Sequence, residues 1–353
     1  MEIKIGKTLI GKNHPCFVVA EMSGNHNNDI NQALKIVRAA KRSGANAIKI
    51  QTYTADTITL KSNKKDFLIS NKSPWKKYKN LWNLYHKAHT PLSWHKKIFE
   101  EAKKLNLEYF SSPFDETAVD FLETLDVKAY KIASPEINHI PLIKKIAKTN
   151  KPVILSSGLS NFNDLNLAIK TIKKLGNNKI ILLKCNSSYP SPIEDSNIQT
   201  ISDIYKRFKV LPGLSDHTTD NVSAIASIAL GASLIEKHIK LNNVKTIDSF
   251  FSINEKKFKT LIDDIRKVEL SLGKISYELT KSSKINSGGR RSIYVSKKIK
   301  KGDSLTKENI KIVRPSYSLH PKYYEKILDY KAKKNLDIGD RITFKNIKKN
   351  KVF

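Results

Sequence analysis

The sequence predicts a (β/α)8 barrel followed by a small β-rich domain, on three observations. Eight short, β-rich apolar runs recur between residues 17 and 240, most of them about 20–30 residues apart, the length of one strand-plus-helix unit. Segments of helical period separate these runs. After Gly273 the pattern dissolves into a polar stretch and then resumes as short apolar runs with no helices between them. An open doubly wound sheet is the alternative, but the GxGxxG turn expected after its first strand is missing.

The strand runs begin near Phe17 (FVVAEM), Ala47 (AIKIQ), Glu108 (EYFSS), Ala129 (AYKIAS), Val153 (VILSS), Lys179 (KIILLKC), Val210 (VLPGLS) and Leu234 (LIEKHI). After the first run, Ile30, Leu34 and Val37 share one helical face, with Asn28 or Asp29 as the cap and Gly44 beyond the end. About 40 residues then separate Gln51 from a helix starting near Ser93, and they carry Tyr53, Trp75, Tyr78, Trp82 and Tyr85. This insert follows the second strand, on the barrel's C-terminal face, and reads as a lid or substrate wall, with a packing insert as the alternative. Its His86 and His89 read as surface residues. Pro141 opens a helix with Leu142, Ile143 and Ile146 on its apolar side. A longer helix carries Phe258, Leu261, Ile262, Ile265, Val268 and Leu272 and stops at Gly273. KISYELTKSSKINSGG then reads as a linker, and SIYVS, IKIV and RITF as the strands of the last domain. The divisions are a barrel over 1–272, a linker over 273–288 and a tail domain over 289–353.

The chain has 353 residues, and 64 Lys plus Arg against 33 Asp plus Glu give a formal charge of +31. Of the cations 56 are Lys and 8 are Arg, and Lys is spread through nearly every segment. A nucleic-acid binder concentrates its cations on one face, so no nucleic-acid partner is expected. Most of the charge reads as solvated helix faces, with attraction of a small anionic substrate as the second reading. From Gly288 onward 19 basic residues face 6 acidic ones, so the tail is the denser in positive charge. The two cysteines, Cys16 and Cys185, lie in apolar runs without zinc spacing, which suits a reduced, cytoplasmic protein. The N-terminal MEIKIGKTLIG has no apolar signal core, and no apolar run is long enough to span a bilayer, so no membrane association is expected.

Barrel chemistry sits at the C-terminal ends of the strands, and here every end is polar. In chain order these ends offer Glu21; Lys49 and Gln51; Ser111 and Ser112; Lys131, Ser134 and Glu136; and Ser156 and Ser157. The last three offer Lys184, Asn186, Ser187 and Tyr189; Ser215, Asp216 and His217; and Glu236 and His238. Lysines aimed into one mouth repel unless an anion lies between them, and serine hydroxyls beside them donate to phosphate or carboxylate oxygens. The expected ligand is small and multiply anionic. His217 and His238 come from adjacent strands. They are either core histidines or ligands of a divalent metal completed by oxygen donors.

AEMSGNHN, GANAIKIQTY, FSSPFDETAVDFL, AYKIASPEI, LKCNSSYP, GLSDHT and IEKH, in this order, resemble the sialic-acid synthase family, which condenses phosphoenolpyruvate with N-acetylated hexoses to make nine-carbon keto sugars. RRSIYVSKKIKKGDSLTKENIKIVRPSYSLHP resembles the antifreeze-like domain (SAF, a β-clip) that follows the barrel in that family. YKIASPEI, RPSYSLHPKYYEKIL and the LW-x-LY-x-x-A-x-TP-x-x-WH pattern from Leu81 resemble the pseudaminic acid branch. The implied acceptor is 2,4-diacetamido-2,4,6-trideoxy-altrose, with an N-acetylneuraminate or legionaminate precursor as the alternative. The resemblance implies phosphoenolpyruvate binding by Lys49, Ser112, Lys131, Ser134, Ser156, Ser187 and Ser215. It implies sugar contacts by Gln51, Tyr189, Asp248 and Arg314, the last reaching into a neighbouring subunit of a domain-swapped homodimer. Glu21 and Glu136 are the implied proton-transfer groups. His217 and His238 are the implied ligands of a divalent metal, Mn²⁺ first, with Mg²⁺ or Co²⁺ as alternatives. The chain departs from the family pattern at Pro135, where an aromatic is common, Ser157, where Thr is common, and Ser316 and Ser318, where Gly is common.

Overall fold

A computed structural model describes residues 1–350. It divides into two compact units, Met1–Gly273 and a second from Lys274 onward. In the first, eight parallel strands form the barrel: β3 (Phe17–Glu21), β4 (Ala47–Thr52), β5 (Glu108–Pro113), β6 (Tyr130–Ile132), β7 (Val153–Ser156), β8 (Ile180–Cys185), β9 (Leu211–Asp216) and β10 (Leu234–Lys240). Each pairs with the next, β10 pairs with both β9 and β3, and the sheet is therefore closed, which excludes the open alternative. A two-residue strand, β11 (Ile253–Asn254), adds to β10. All eight predicted runs are barrel strands.

The sequence reading passed over a ninth feature. The first residues form an antiparallel hairpin, β1 (Glu2–Ile5) and β2 (Thr8–Gly11). Its Ile3, Ile5 and Ile10 pack with Phe17, Val19, Ala47, Phe110, Ile154, Ile181, Leu211 and Leu234, the inward side chains of the strand beginnings. The hairpin thus closes one end of the barrel with apolar groups, each such burial stabilising by roughly 1.5–3 kcal/mol. The alternation in EIKI was the signal for it.

The barrel helices are α1 (Ile30–Arg42), α4 (Leu92–Lys104), α5 (Glu116–Thr124), α6 (Ile140–Lys148), α7 (Phe162–Lys174), α8 (Thr200–Phe208), α9 (Val222–Ala229) and α10 (Glu255–Leu272). Asp29 caps α1 by accepting from the Asn31 N–H, whereas Asn28 takes a left-handed φ of 56° outside it. His139 caps α6 just before Pro141. On α10 the apolar stripe ends at Val268, because Leu272 is half exposed. These helices bury their stripes against the outward side chains of the strands in a second, larger core.

The long insert after β4 carries two short helices, α2 (Ala55–Ile58) and α3 (Leu81–Ala88). Two neutral histidines tie its surroundings to the barrel. His95 Nε2 lies 2.9 Å from the Thr52 hydroxyl and its Nδ1 3.1 Å from the Pro91 carbonyl. His26 Nε2 lies 3.2 Å from the Thr90 hydroxyl, and its Nδ1 accepts from the Asn28 N–H. His86 is exposed and stacks on Trp82, while His89 is half-buried.

In the second unit the expected linker holds a short helix, α11 (Lys281–Ile285). β12 (Ser292–Val295) pairs with β13 (Ile310–Val313), and β14 (Lys331–Ala332) with β15 (Ile347–Lys348); a last short helix is α12 (Tyr324–Ile327). SIYVS and IKIV are strands as predicted, but RITF is not: Arg341 makes only an isolated bridge to Tyr294. The reason is an internal repeat. Ile299, Gly302, Asp303, Leu305, Thr306, Asn309 and Ile310 recur as Leu336, Gly339, Asp340, Ile342, Thr343, Asn346 and Ile347. Asn309 Oδ1 accepts from Thr306 N at 2.7 Å, and Asn346 Oδ1 from Thr343 N at 2.9 Å. Each half lends its glycine to the other: Gly302 N donates to the Ala332 carbonyl and Gly339 N to that of Val295. RITF thus matches the turn region SLTK of the first half, and the paired strand follows it as β15. Ser316 and Ser318 sit where φ is not positive, and both hydroxyls donate to carbonyls, of Ser287 and of Ile342 respectively.

Burial holds His26 and His95 at about 4, below the ordinary 6.5, so both are neutral in the fold. The unfolded chain binds these protons first as pH falls, so stability is full above about 6.5 and is lost down to about 4, by about 3 kcal/mol per histidine. Urea midpoints measured between pH 7 and pH 4 should show this slope, and His95→Gln should remove its share of it.

Candidate active site

At the C-terminal end of the barrel the inward positions change from apolar to ionisable, as residues two apart must on one strand face. The cavity there measures about 580 Å³. It is lined by Lys49, Gln51, Ser112, Lys131, Ser134, Glu136, Ser156, Tyr189, Ser215, His217, His238 and Asp248. Three predicted residues stand apart. Glu21 continues the inward row of Phe17 and Val19 on β3 and is buried against Lys49 and Gln51 without lining the cavity itself. The Ser187 hydroxyl faces Gly158. Arg314 belongs to the second unit, where it is exposed and without a side-chain partner among the described residues.

The expected repulsion between lysines is resolved differently for each. Lys49 Nζ lies 2.9 Å from Glu21 Oε2, 3.6 Å from Glu236 Oε2 and 3.2 Å from the Ser112 hydroxyl. Burial works against its charge, but the two carboxylates outweigh it and hold its pKa above the ordinary lysine value. Lys131 has no carboxylate within ion-pair distance. Its Nζ donates to the Ser156 hydroxyl at 2.6 Å and to the Ile132 carbonyl at 3.2 Å. Burial lowers its pKa. Lys184 alternates to the outside, donates to the Cys185 carbonyl and does not line the cavity. The site therefore holds one compensated cation and one that lacks an anion.

Donors gather near Lys131. Gly158 N donates to the Ser134 hydroxyl at 3.0 Å, and the buried Ser187 hydroxyl has no partner. A side chain at Gly158 has no room: a Cβ there would stand 2.2 Å from Ser187 Oγ and 2.8 Å from Ser134 Oγ. Glu136 is buried with Oε2 unpartnered, and burial pushes its pKa up to about 8 although Lys131 opposes the shift. Gln51 donates to Glu21 Oε1 at 3.0 Å. Asp248 accepts from the Ser23 hydroxyl and from Gly24 N.

The two imidazoles stand 5.3 Å apart between ring centres. His217 Nδ1 lies 2.7 Å from the Asn186 carbonyl, so Nδ1 carries the hydrogen and Nε2 keeps a free lone pair. His238 Nδ1 is buried without a partner, and burial keeps this ring neutral. Burial works against charge on His217 too, but Cys185 and the Asn186 carbonyl beside it outweigh burial and raise its pKa, so a divalent ion would displace the Nε2 proton of the charged ring and share the free lone pairs of the two rings. Among the described residues no third His, Cys, Asp or Glu completes the set, so water or substrate oxygens must supply the rest.

The insert after β4 is a wall of this cavity. Ile58, Leu68, Ile69, Leu84 and Tyr85 face it, with Phe114 and Phe251 from the barrel loops. Trp75 fixes the insert by donating from Nε1 to the Ile247 carbonyl at 3.1 Å and by packing on Tyr189 and Phe250.

The sequence profile of the NeuB family matches residues 36–277, and that of the SAF domain matches residues 290–348. The chain belongs to the NeuB family. It is 43% identical over 327 residues to pseudaminic acid synthase of Campylobacter jejuni subsp. jejuni strain 81-176, covering 92% of this chain and 95% of that one. It is 44% identical over 338 residues to pseudaminic acid synthase of Helicobacter pylori, covering 95% and 99%. Its structure is similar to that of the N-acetylneuraminic acid synthetase of Leptospira borgpetersenii in complex with citrate, with a TM-score of 0.71, 29% identity and coverage of 81% and 95%.

In this NeuB family member the sequence reading placed Glu236 at a strand end and gave it no role, yet it is the second counter-ion of Lys49 and accepts from Ser215 at 3.1 Å. The wall residues Ile58, Leu68, Ile69 and Leu84 were also missed. They carry no motif and are revealed only by which way the insert folds.

The two lysines should respond oppositely to loss of charge. Lys49→Met leaves two buried carboxylates unpaired and should cost about 3–5 kcal/mol of stability. Lys131→Met removes an unpaired cation and should leave the thermal midpoint equal or higher while abolishing anion binding. A fall of both midpoints by the same amount would contradict the assignment.

Proposed function

We propose that this chain condenses phosphoenolpyruvate with 2,4-diacetamido-2,4,6-trideoxy-altrose, giving pseudaminic acid and phosphate. The observation that carries the proposal is the two-sided cavity: Lys131 with no carboxylate in ion-pair distance among hydroxyl donors, an apolar wall from the insert, and two imidazoles that line the same space. Near full-length similarity to pseudaminic acid synthases supports the same acceptor. The condensing unit is 1–272, joined by 273–288 to an antiparallel-stranded SAF unit over 289–353.

Phosphoenolpyruvate takes the Lys131 side. Lys49, Lys131, Ser112, Ser134, Ser156 and Ser215 hold its phosphate and carboxylate, and the unpartnered Ser187 hydroxyl, set back beside Gly158, joins them when the ligand is bound. The acceptor lies against the wall. Its C6 methyl and acetamido methyls suit Ile58, Leu68, Ile69 and Leu84, where the extra hydroxyl of a 6-hydroxylated hexose would lose its hydrogen bonds to water. Gln51, Tyr189 and Asp248 contact its polar groups. Arg314 of a second copy completes the mouth in a domain-swapped homodimer, its planar guanidinium suiting hydroxyl or amide oxygens.

In the reaction C3 of phosphoenolpyruvate bonds to the aldehyde carbon, water adds at C2, and phosphate leaves with its bridging oxygen. Glu136, protonated at neutral pH, donates toward the developing alkoxide, and Glu21, linked to the cavity through Lys49 and Gln51, accepts a proton from water. His217 and His238 hold a divalent metal, Mn²⁺ by preference over Mg²⁺ or Co²⁺, which when bound supplies Lewis-acid polarisation of the carbonyl. Reduced buried Cys16 and Cys185 suit the cytoplasm, and no helix among the described residues is long and apolar enough to cross a membrane.

Mass measurement of products from phosphoenolpyruvate and competing acceptors tests the proposal: the trideoxy diacetamido sugar should be consumed ahead of N-acetylmannosamine. Preference for N-acetylmannosamine would replace it with the neuraminate reading. His217→Ala should abolish metal-dependent turnover and leave the fold intact. Because Glu136 must be protonated, kcat/KM should fall as pH rises through about 8, and Glu136→Gln should remove that limb. Arg314→Ala mixed with a Lys131→Met chain should recover part of the activity in mixed dimers.

A further inference from the structure

GLSDHT and IEKH lie on neighbouring parallel strands, β9 and β10, with Ser215 opposite Glu236 and Asp216 opposite Lys237. Strand alternation sends the first pair into the cavity and the second to the back of the barrel wall. There Lys237 Nζ meets Asp216 Oδ2 at 2.5 Å, with the side chains only 1% and 2% exposed. Lys237 also donates to the Thr218 carbonyl at 2.8 Å, and Asp216 Oδ1 accepts from Thr218 N at 2.9 Å. The ion pair thus holds both backbone groups of Thr218, the residue that follows His217. Its two members are the immediate chain neighbours of His217 and of His238.

Stability does not account for this pair. Two buried charges lose their hydration, and an apolar pair of the same size in the same place stabilises a fold equally or better. What an apolar pair lacks is direction. The His217 ring has its own brace in the Asn186 carbonyl, but His238 Nδ1 has none, so its placement depends on the strand that Lys237 pins.

We propose that Asp216 and Lys237 are positioning residues, a strut behind the barrel wall that sets the spacing of the two imidazoles for metal binding. The proposal rests on the reading that His217 and His238 hold a divalent ion.

Mn²⁺ binding to the metal-free full chain, followed by the electron paramagnetic resonance of free Mn²⁺ without substrates, separates the two ideas. His217→Ala should abolish the site; binding equal to wild type in that variant would overturn the metal reading and the strut with it. The apolar pair Asp216→Leu with Lys237→Met should keep or raise the thermal midpoint and weaken Mn²⁺ binding by about 10- to 100-fold, as loss of an orienting partner does elsewhere. Unchanged affinity in that variant, with His217→Ala still inactive in binding, would overturn the strut alone. Lys237→Arg preserves the charge but not the reach, and is the second variant if the apolar pair does not fold. It should also bind Mn²⁺ several-fold more weakly, and wild-type affinity there would overturn the strut as well.

Discussion

Closure of the sheet governs the rest of this molecule. Once β10 pairs with both β9 and β3, alternate side chains of eight strands must share one narrow interior. The lower half of that interior is filled by Phe17, Val19, Phe110, Ile154, Ile181 and the hairpin isoleucines. The upper half receives Lys49, Gln51, Ser112, Lys131, Ser156, Ser215, Glu236 and His238 because they follow the apolar residues at even spacing. Polar groups packed this densely must satisfy one another or wait for a ligand. The division between those two outcomes is the division between scaffold and chemistry.

Lys49 and Lys131 illustrate it. Both are buried lysines on the same rim, on β4 and β6 with β5 between them, and residue type alone makes them equivalent. Glu21 and Glu236 neutralise the first, which ties three strands together at the level where the barrel opens. The second has only neutral oxygens. An anion entering the cavity meets in Lys131 a cation with no carboxylate in ion-pair distance, whereas near Lys49 it meets a charge already shared. The proposed anion subsite is thus marked by a missing carboxylate rather than by the presence of a lysine.

This also explains what could be read in the sequence. Runs such as KIILLKC and VLPGLS announce strands because apolar β-formers bounded by turn residues have few other uses, and the order of the strand ends follows from the barrel. Which carboxylate pairs with which lysine does not follow, because Glu21, Lys49 and Glu236 are far apart in the chain and their distances depend on strand register. Lys184 shows the same limit: a shift of one residue in the reading of KIILLKC turns it from cavity to exterior. The tail failed for another reason. RITF has strand composition, but the repeat assigns it to a turn whose hydrogen bonds run to Asn346, and only the comparison of 299–310 with 336–347 reveals that.

On the proposed reading, chemistry and choice of acceptor rest on different parts of this chain. The strand ends cannot vary freely, since each inward residue contacts neighbours on both sides and a changed charge leaves a partner unpaired. The insert between β4 and α4 is under no such restraint. It is held at its ends by His95, Thr52, Thr90 and His26 and at its middle by Trp75, and between these points Ile58, Leu68, Ile69 and Leu84 meet the cavity with side chains alone. Exchanging one of them for a polar residue alters which sugar surface can lie there without disturbing Lys131 or the histidines. A barrel that condenses one anion with many sugars would be built this way, with the invariant reactant bound by closed-sheet geometry and the variable one by a tethered loop.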